Sequence, residues 1–390
     1  MSNFPKFGLY HTLTNLFVYF FVFSLCFERL TLNGVNLDFV LTKYFSFILV
    51  LLSLFNLNFW KGLLVNKSIT IYLIIYFIIL TFSSFINKSL FYNSYFDYLF
   101  LLNVFLFLSL RGKFICDSSV FMRSQYLFII GNILLSVLYF LGVGKSFITH
   151  ELESRATIFG NNQNYLGLSL SIASLFIFRF LFIEKTNLGL KIFFGISLLP
   201  ISYFMVLTGS RTAFLSFICG VFIFIFLSSK LNLFKKIITA ISSFIFIVTI
   251  LVVFNDKFDI SQRIFSTIES GDTANRDVIW SGLIYLFSDY FLLGVGKTGY
   301  LRMIGDLSPH NAFIEVFIYT GLIGSLFFIA FLASLLANSL KTYNKTRNFF
   351  PIILFVAVLG ILLTGQFFDQ KLVWFFVACM FERSNYFSLT

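Results

Sequence analysis

At 390 residues, 58% hydrophobic and only 12% charged, the chain departs from soluble domains, which carry roughly 25% charged and 45–50% apolar residues. Its apolar residues, sixty phenylalanines among them, fall in blocks of about 20, the length that crosses a hydrocarbon core of about 30 Å as a helix. A formal net charge of +11 would suggest nucleic acid in a soluble protein, but here Lys and Arg sit mostly in short loops between apolar blocks and form no basic stripe, which excludes that partner.

The sequence predicts one all-α integral membrane domain over residues 1–390, a polytopic bundle of about 12 transmembrane spans embedded in the lipid bilayer. In chain order these are expected near 9–28, 40–60, 69–87, 95–110, 124–143, 164–183, 189–207, 211–229, 236–254, 313–338, 349–366 and a short 370–382. The first block lacks a small-residue cleavage site and reads as a retained helix. Lys61 and Lys67 follow the second span, Arg111 and Lys113 the fourth, Lys185 and Lys191 the sixth, Lys230, Lys235 and Lys236 the eighth, and Lys341, Lys345 and Arg347 the tenth. Positive loops face the cytoplasm, so both termini are expected inside and the odd-numbered spans lead outward.

The outward loops carry the polar residues. One runs through GKSFITHELESRATIFGNNQN, one is the tight turn LTGSRTA, and the large one covers about 255–312 between spans 9 and 10. That loop holds an amphipathic stretch from Arg276 to Leu293, in which Val278, Ile279, Leu283, Ile284 and Leu286 can lie on the membrane surface with Trp280 and Tyr285 at the interface.

The four cysteines, Cys26, Cys116, Cys219 and Cys379, have neither CxxC nor metal spacing. No GxxxxGK[ST], HExxH or DxD motif occurs, and the carboxylates Glu151 and Glu153 read as a solvated loop, so neither a metal site nor a cofactor is expected. The candidates for chemistry are arginines and one histidine on the outer side. Arg211 follows Gly209 and Ser210 at the start of a helix, where unpaired amides and a guanidinium together suit a diphosphate, although an arginine there can also snorkel to lipid headgroups. Arg155 precedes Gly160, Asn161, Asn162 and Asn164, a stretch able to bind sugar hydroxyls or simply to be solvated. Arg276 lies four residues before Trp280, so both can share a helical face as a site or as an interfacial anchor. His310, followed by Asn311 and Glu315, sits at the outer boundary, where a neutral imidazole can take a proton from a hydroxyl or merely cap a helix. Gly321 and Gly324, three apart, can permit close helix packing.

The segments TGSRTAFLSF (208–217), ANRDVIWSGLIYLFSDYFLLGVGKTGY (274–300) and PHNAFIEVFIYTGLIG (309–324) resemble the O-antigen ligase and polymerase family of bacterial membrane glycosyltransferases. The likeness covers the C-terminal two thirds in motif order, with Arg155, Gly160 and Asn164 similar to a weaker upstream element. It implies a metal-independent enzyme of the bacterial inner membrane whose active site faces the periplasm. The donor would be an oligosaccharide on undecaprenyl diphosphate. Its acceptor would be a second lipid-linked unit for a polymerase, which a chain-length regulator protein would accompany, or lipid A–core for a ligase. In that scheme Arg211 and Arg276 hold the departing diphosphate and His310 activates the acceptor hydroxyl, with Arg155, Asn164, Ser210, Trp280 and Asn311 as substrate contacts. The Asn-rich loop and the lack of an extended outer domain fit the polymerase, the reading favoured here, without deciding against the ligase. A protein-targeting glycosyltransferase belongs to the same class. A lipid-linked sugar flippase or other transporter is the alternative of another class, and it should place ionisable residues and broken helices near the bilayer midplane.

Overall fold

A computed structural model describes residues 8–28, 31–32, 35–36, 41–87, 95–150, 153–228, 232–234, 236–237, 240–241, 276–304, 309–365 and 368–381. The ninth expected span and most of the large loop lie outside these residues.

The described chain is a bundle of α-helices. α1 (Gly8–Ser24), prolonged by a 3₁₀ turn to Phe27, is followed by α2 (Leu41–Leu54), α3 (Leu57–Leu64), α4 (Lys67–Ile86), α5 (Tyr95–Cys116) and α6 (Ser118–Phe140). Then come α7 (Gln163–Phe182), α8 (Leu188–Leu207) and α9 (Arg211–Leu227). Three short helices, α10 (Arg276–Gly282), α11 (Ile284–Asp289) and α12 (Gly296–Ile304), precede α13 (Ala312–Thr346), α14 (Phe350–Leu362) and α15 (Lys371–Cys379). Two antiparallel ribbons interrupt the helices. β1 (Thr31–Leu32) pairs with β2 (Val35–Asn36), and β3 (Lys145–His150) with β4 (Glu153–Ile158), where the sequence reading had only a loop.

Seven of the described helices are long and apolar enough to cross a membrane, and α2, α9 and α14 are shorter apolar helices of 10–17 residues. The expected count of about twelve is therefore not confirmed among the described residues. Two departures have physical causes. The second block breaks at Phe55–Asn56, so that α2 and α3 are separate helices. The last block forms the nine-residue α15, about 14 Å long at 1.5 Å per residue, which is too short to span. All nine of its residues are buried, so its hydrophobicity serves the protein core instead of lipid.

Helix starts are specified locally. Asp117 accepts from the Ser119 and Val120 amides at the head of α6, Asn162 from Asn164 at α7, and Asn187 from Leu190 at α8. Each satisfies amides that a helix leaves unpaired, an arrangement worth about 1 kcal/mol per cap. α7 is the axis of the bundle, 83% buried over its span. Its small residues allow this. A side chain at Gly167 would meet Ser210 Cβ and Ala213 Cβ at 2.9 Å, so α9 approaches closely there. The outward faces of α4 and α8 instead show large apolar residues at helical spacing, Ile71, Ile74, Ile78 and Phe82 on one and Ile192, Ile196 and Leu199 on the other, an exposure that only lipid makes favourable.

The two ends of the bundle differ. At one, Arg111 Nη2 donates to the Val65 carbonyl at 2.6 Å, and Asn66 Nδ2 to Asn338 Oδ1 at 2.6 Å. Arg179 lies over the Phe350 ring at 4.9 Å and pairs with Glu184 at 2.9 Å. These contacts gather the basic turns at α3–α4, α5–α6, α7–α8 and α13–α14. Arg111 is not in a loop as the sequence reading had it. α5 continues to Cys116, and the guanidinium is fully buried against Phe107 and Phe381. The opposite end carries the candidate site.

Candidate functional site

Three turns build the site. The first leads from α8 into α9 through Thr208, Gly209 and Ser210, and delivers Arg211, half-exposed, at the first helical position. Ser210 is buried, and its Oγ accepts from the Ala213 amide at 3.3 Å, so it holds the helix end from inside. The second turn carries His310, exposed and in the left-handed region at φ 51°. Asn311 follows as the cap of α13, its Oδ1 accepting from Phe313 N at 2.9 Å and Ile314 N at 3.3 Å. The third turn follows α14, where Gly365 packs against His310. A side chain there would stand 3.2 Å from His310 Cα and 3.7 Å from Nδ1.

α14 joins the first two turns. A side chain at Gly360 would meet Thr212 Cγ2 at 3.0 Å and Ser216 Oγ at 2.7 Å, so the helix that ends beside His310 lies against the first turn of α9. The five residues from Gly360 to Gly365 span roughly 8–17 Å. Arg211 and His310 therefore share one end of the bundle. Trp280 joins them, because its indole Nε1 donates to the Pro309 carbonyl at 2.9 Å. Asn164 sits half-exposed in the first turn of α7, one turn from Gly167 and its contact with Ser210.

Arg276 opens α10 one turn before Trp280, and Arg155 lies on β4 opposite Ile148, but both side chains fall outside the described residues. The amphipathic stretch does not lie flat as one helix. It breaks at Leu283, and Leu283 and Leu286 are buried in protein, while Phe287 stacks on Phe317 at 4.7 Å to fix α11 to α13.

The structure adds charged groups that sequence reasoning passed over. Lys297 Nζ pairs with Asp369 Oδ2 at 2.6 Å, and Lys371 Nζ with Glu28 Oε1 at 3.0 Å. Both pairs flank Phe368, whose ring stacks on Tyr76 at 5.2 Å and whose carbonyl accepts from Asn103 Nδ2 at 2.7 Å. Tyr76 and Asn103 lie well inside α4 and α5, so Phe368 is recessed about 12–15 Å below those helix ends. Beneath it Trp374, Phe375 and Phe376 are fully buried, which closes the recess from the other end. Burial, with the neighbouring Glu315 carboxylate and Tyr285 phenol, pushes the Tyr300 phenol on α12 up to about 12, so it stays a neutral hydrogen-bonding group. The sequence signal for the pairs was the ionisable Asp369 and Lys371 inside an otherwise apolar C-terminal run.

A recessed ion pair is costly to halve. Lys371→Met is expected to lower stability by about 3 kcal/mol because Glu28 loses its partner, and Glu28→Gln combined with Lys371→Met to recover most of it. Thermal unfolding of the purified single and double variants checks this.

The fold and site define a multi-pass helical membrane protein with a polar recess open at one end of the bundle. Residues 196–329, which run from α8 to α13 and include Arg211, Arg276 and His310, match the family model described as O-antigen ligase. Over these residues the chain carries an O-antigen ligase family domain, a family whose members are membrane glycosyltransferases of the ligase and polymerase type. No curated protein matches the chain.

Proposed function

We propose that the protein is an O-antigen polymerase that joins undecaprenyl-diphosphate-linked repeat units at the periplasmic face of the bacterial inner membrane. The observation that supports this most is the placement of the Arg211 and His310 turns at the same bundle end, opposite the basic turns, since positive turns face the cytoplasm. Glycosyl transfer from a diphosphate needs two things of the protein. The leaving group must be stabilised as negative charge develops on it, and the acceptor hydroxyl must be oriented and relieved of its proton. Arg211, with the amides at the start of α9, and Arg276 supply the first, while His310 supplies the second. The bond from the anomeric carbon to the diphosphate oxygen breaks as the acceptor oxygen bonds to that carbon, and the hydroxyl proton passes to the imidazole. Asn164 and the ring of Trp280 contact sugar, and Asn311 keeps only its Nδ2 for that purpose, since its Oδ1 caps α13. Arg155 contributes from the β3–β4 ribbon.

The family description favours a second reading, in which the same site transfers the finished glycan to lipid A–core as a ligase. A gel of lipopolysaccharide from the native host lacking the protein separates the two. Core carrying a single repeat unit is the result expected of a polymerase. Core without any O-antigen, with lipid-linked polymer accumulating, marks a ligase. Unchanged ladders would overturn both and restore transport, for which the Gly321 break described below and the recessed ion pairs would then be the starting point.

A further inference from the structure

We propose that the small cavity where α2 gives way to α3 is a site for one ordered water molecule, which hydrates the buried Lys113 ammonium and bridges α5 to α1 at the bundle end that gathers the basic turns. The sequence places Lys113 in a positive loop after the fourth span. α5 instead continues to Cys116, and the side chain is only 2% exposed. Its Nζ is buried and has no hydrogen-bond partner among the described residues. Ammonium hydrogens removed from water and left unbonded are strongly unfavourable, so the site must supply an acceptor for them. Asp117, four residues on, does not supply it. Its Oδ1 caps α6, accepting from the Ser119 and Val120 amides, and its Oδ2 stands 3.9 Å from His11 Nε2.

Lys113 lines a cavity together with Thr14, Ser53, Asn56, Phe59 and Ser109, among others. The cavity leaves about 10 Å³ for the centre of a water-sized molecule, near the least that holds one water, so a phosphate, a carboxylate or a sugar does not fit. The polarity of the lining then separates water from a halide. Thr14 Oγ1 donates to the Tyr10 carbonyl at 2.9 Å, and Ser109 Oγ to the Phe105 carbonyl at 2.8 Å. Each hydroxyl proton is thereby spent on its own helix, and what each oxygen retains is acceptor capacity. Lone pairs repel a halide. Water accepts from the Lys113 ammonium and donates to the two hydroxyl oxygens, which gives it the number of partners usual for a buried water. Ser109 and Lys113 are one turn apart on α5, so a single molecule between them and Thr14 joins α5 to α1. The end of α2 favours a cation at this place. α2 stops at Leu54, Asn56 N turns back to the Ser53 carbonyl at 2.9 Å, and the negative end of the helix dipole falls at the cavity wall.

X-ray hydroxyl-radical footprinting of the full-length protein in lipid nanodiscs tests the site, because brief radiolysis oxidises side chains that touch an ordered water even where bulk solvent does not reach them. Phe59 reports on the cavity, and Phe176, also fully buried, serves as the reference in α7. In wild type Phe59 is expected to be oxidised well above Phe176. Ser109→Val fills the space with methyl groups and removes an acceptor, and should bring Phe59 down to the level of Phe176. Lys113→Met should do the same by removing the donor. Phe59 as protected as Phe176 in wild type, or as reactive in either folded variant as in wild type, would overturn the proposal. Ser109→Val keeps the charge and decides the matter if Lys113→Met does not fold, and the wild-type comparison decides it without either variant.

Discussion

Gly321→Ala is expected to keep the folded protein from accumulating in the membrane. The 35-residue α13 is not continuous. At Gly321 the backbone takes φ 60° and ψ −161°, a conformation open in practice only to glycine, and the helix breaks. Leu322 N then donates to the Phe291 carbonyl at 2.8 Å, Ile323 N donates to Leu292 O at 3.2 Å, and Val295 N donates to Ile318 O at 2.8 Å. The 291–295 segment thus supplies the backbone partners that the break removes, which is how irregular backbone is tolerated within a membrane bundle. A methyl group on Gly321 would overlap the Leu292 carbonyl, and one on Gly294 would stand 2.5 Å from Ile318 O. Neither chain can yield without losing hydrogen bonds. The backbone conformation alone costs about 1–3 kcal/mol in a non-glycine residue, and the overlap adds to it, so a total near or above 3 kcal/mol is expected. Detergent-extracted Gly321→Ala would then show a collapsed or absent monodisperse peak on fluorescence size-exclusion chromatography. Gly282→Ala, with nothing within 4 Å of the added methyl, would leave the peak intact. A normal peak for Gly321→Ala would mean that the interlock at α13 is not what holds α10–α12 in place.

The break shows where sequence reading succeeds and where it stops. Hydrophobic blocks marked most helices to within a few residues, because an apolar run of about 20 has little alternative to a spanning helix. The turns carrying Lys67, Arg111 and Arg347 were expected on one side from charge alone, and the contacts through Val65, Asn338 and Phe350 gather those turns at one end. Gly321 was legible as a residue of interest, but as half of a Gly321–Gly324 packing pair. A left-handed break cannot be told from close packing without knowing that Leu292 arrives there. The same limit hid the ion pairs. Glu28 and Lys371 are 343 residues apart, and Lys297 and Asp369 are 72 apart, so no local spacing links them. Among the proposed site residues, local chemistry placed Arg211 at the start of a helix and His310 just ahead of one. It did not show that Ser210 and the Oδ1 of Asn311 are spent on capping, or that the Trp280 indole N–H is spent on Pro309. Such side chains look alike in sequence whether they face a substrate or their own backbone.

That ambiguity bears most on His310, which could be a turn residue or a base, and one substitution separates the two. His310→Asn is expected to reduce glycosyl transfer by about 10²–10⁴-fold while leaving the thermal midpoint unchanged. Asparagine is one of the few side chains that readily occupies the left-handed region, so the turn at φ 51° survives, as do its contacts with Gly365 and, through Pro309, with Trp280. What the substitution removes is the basic ring nitrogen, because a carboxamide still hydrogen-bonds a hydroxyl but does not take its proton at neutral pH. Gly365→Ala makes the complementary change. It keeps the imidazole but forces a methyl, at φ 123°, to within 3.2 Å of His310 Cα, and should shift the ring and slow transfer to an intermediate rate with a lowered thermal midpoint. Both are read by lipopolysaccharide ladders from the complemented deletion strain and by unfolding of the purified proteins. If His310→Asn restores full-length chains, the imidazole is not the base and His310 serves the turn. If it gives the deletion phenotype with wild-type stability, the proton leaves the acceptor through this residue, and Arg211 on the adjoining turn is left to meet the charge that develops on the leaving group.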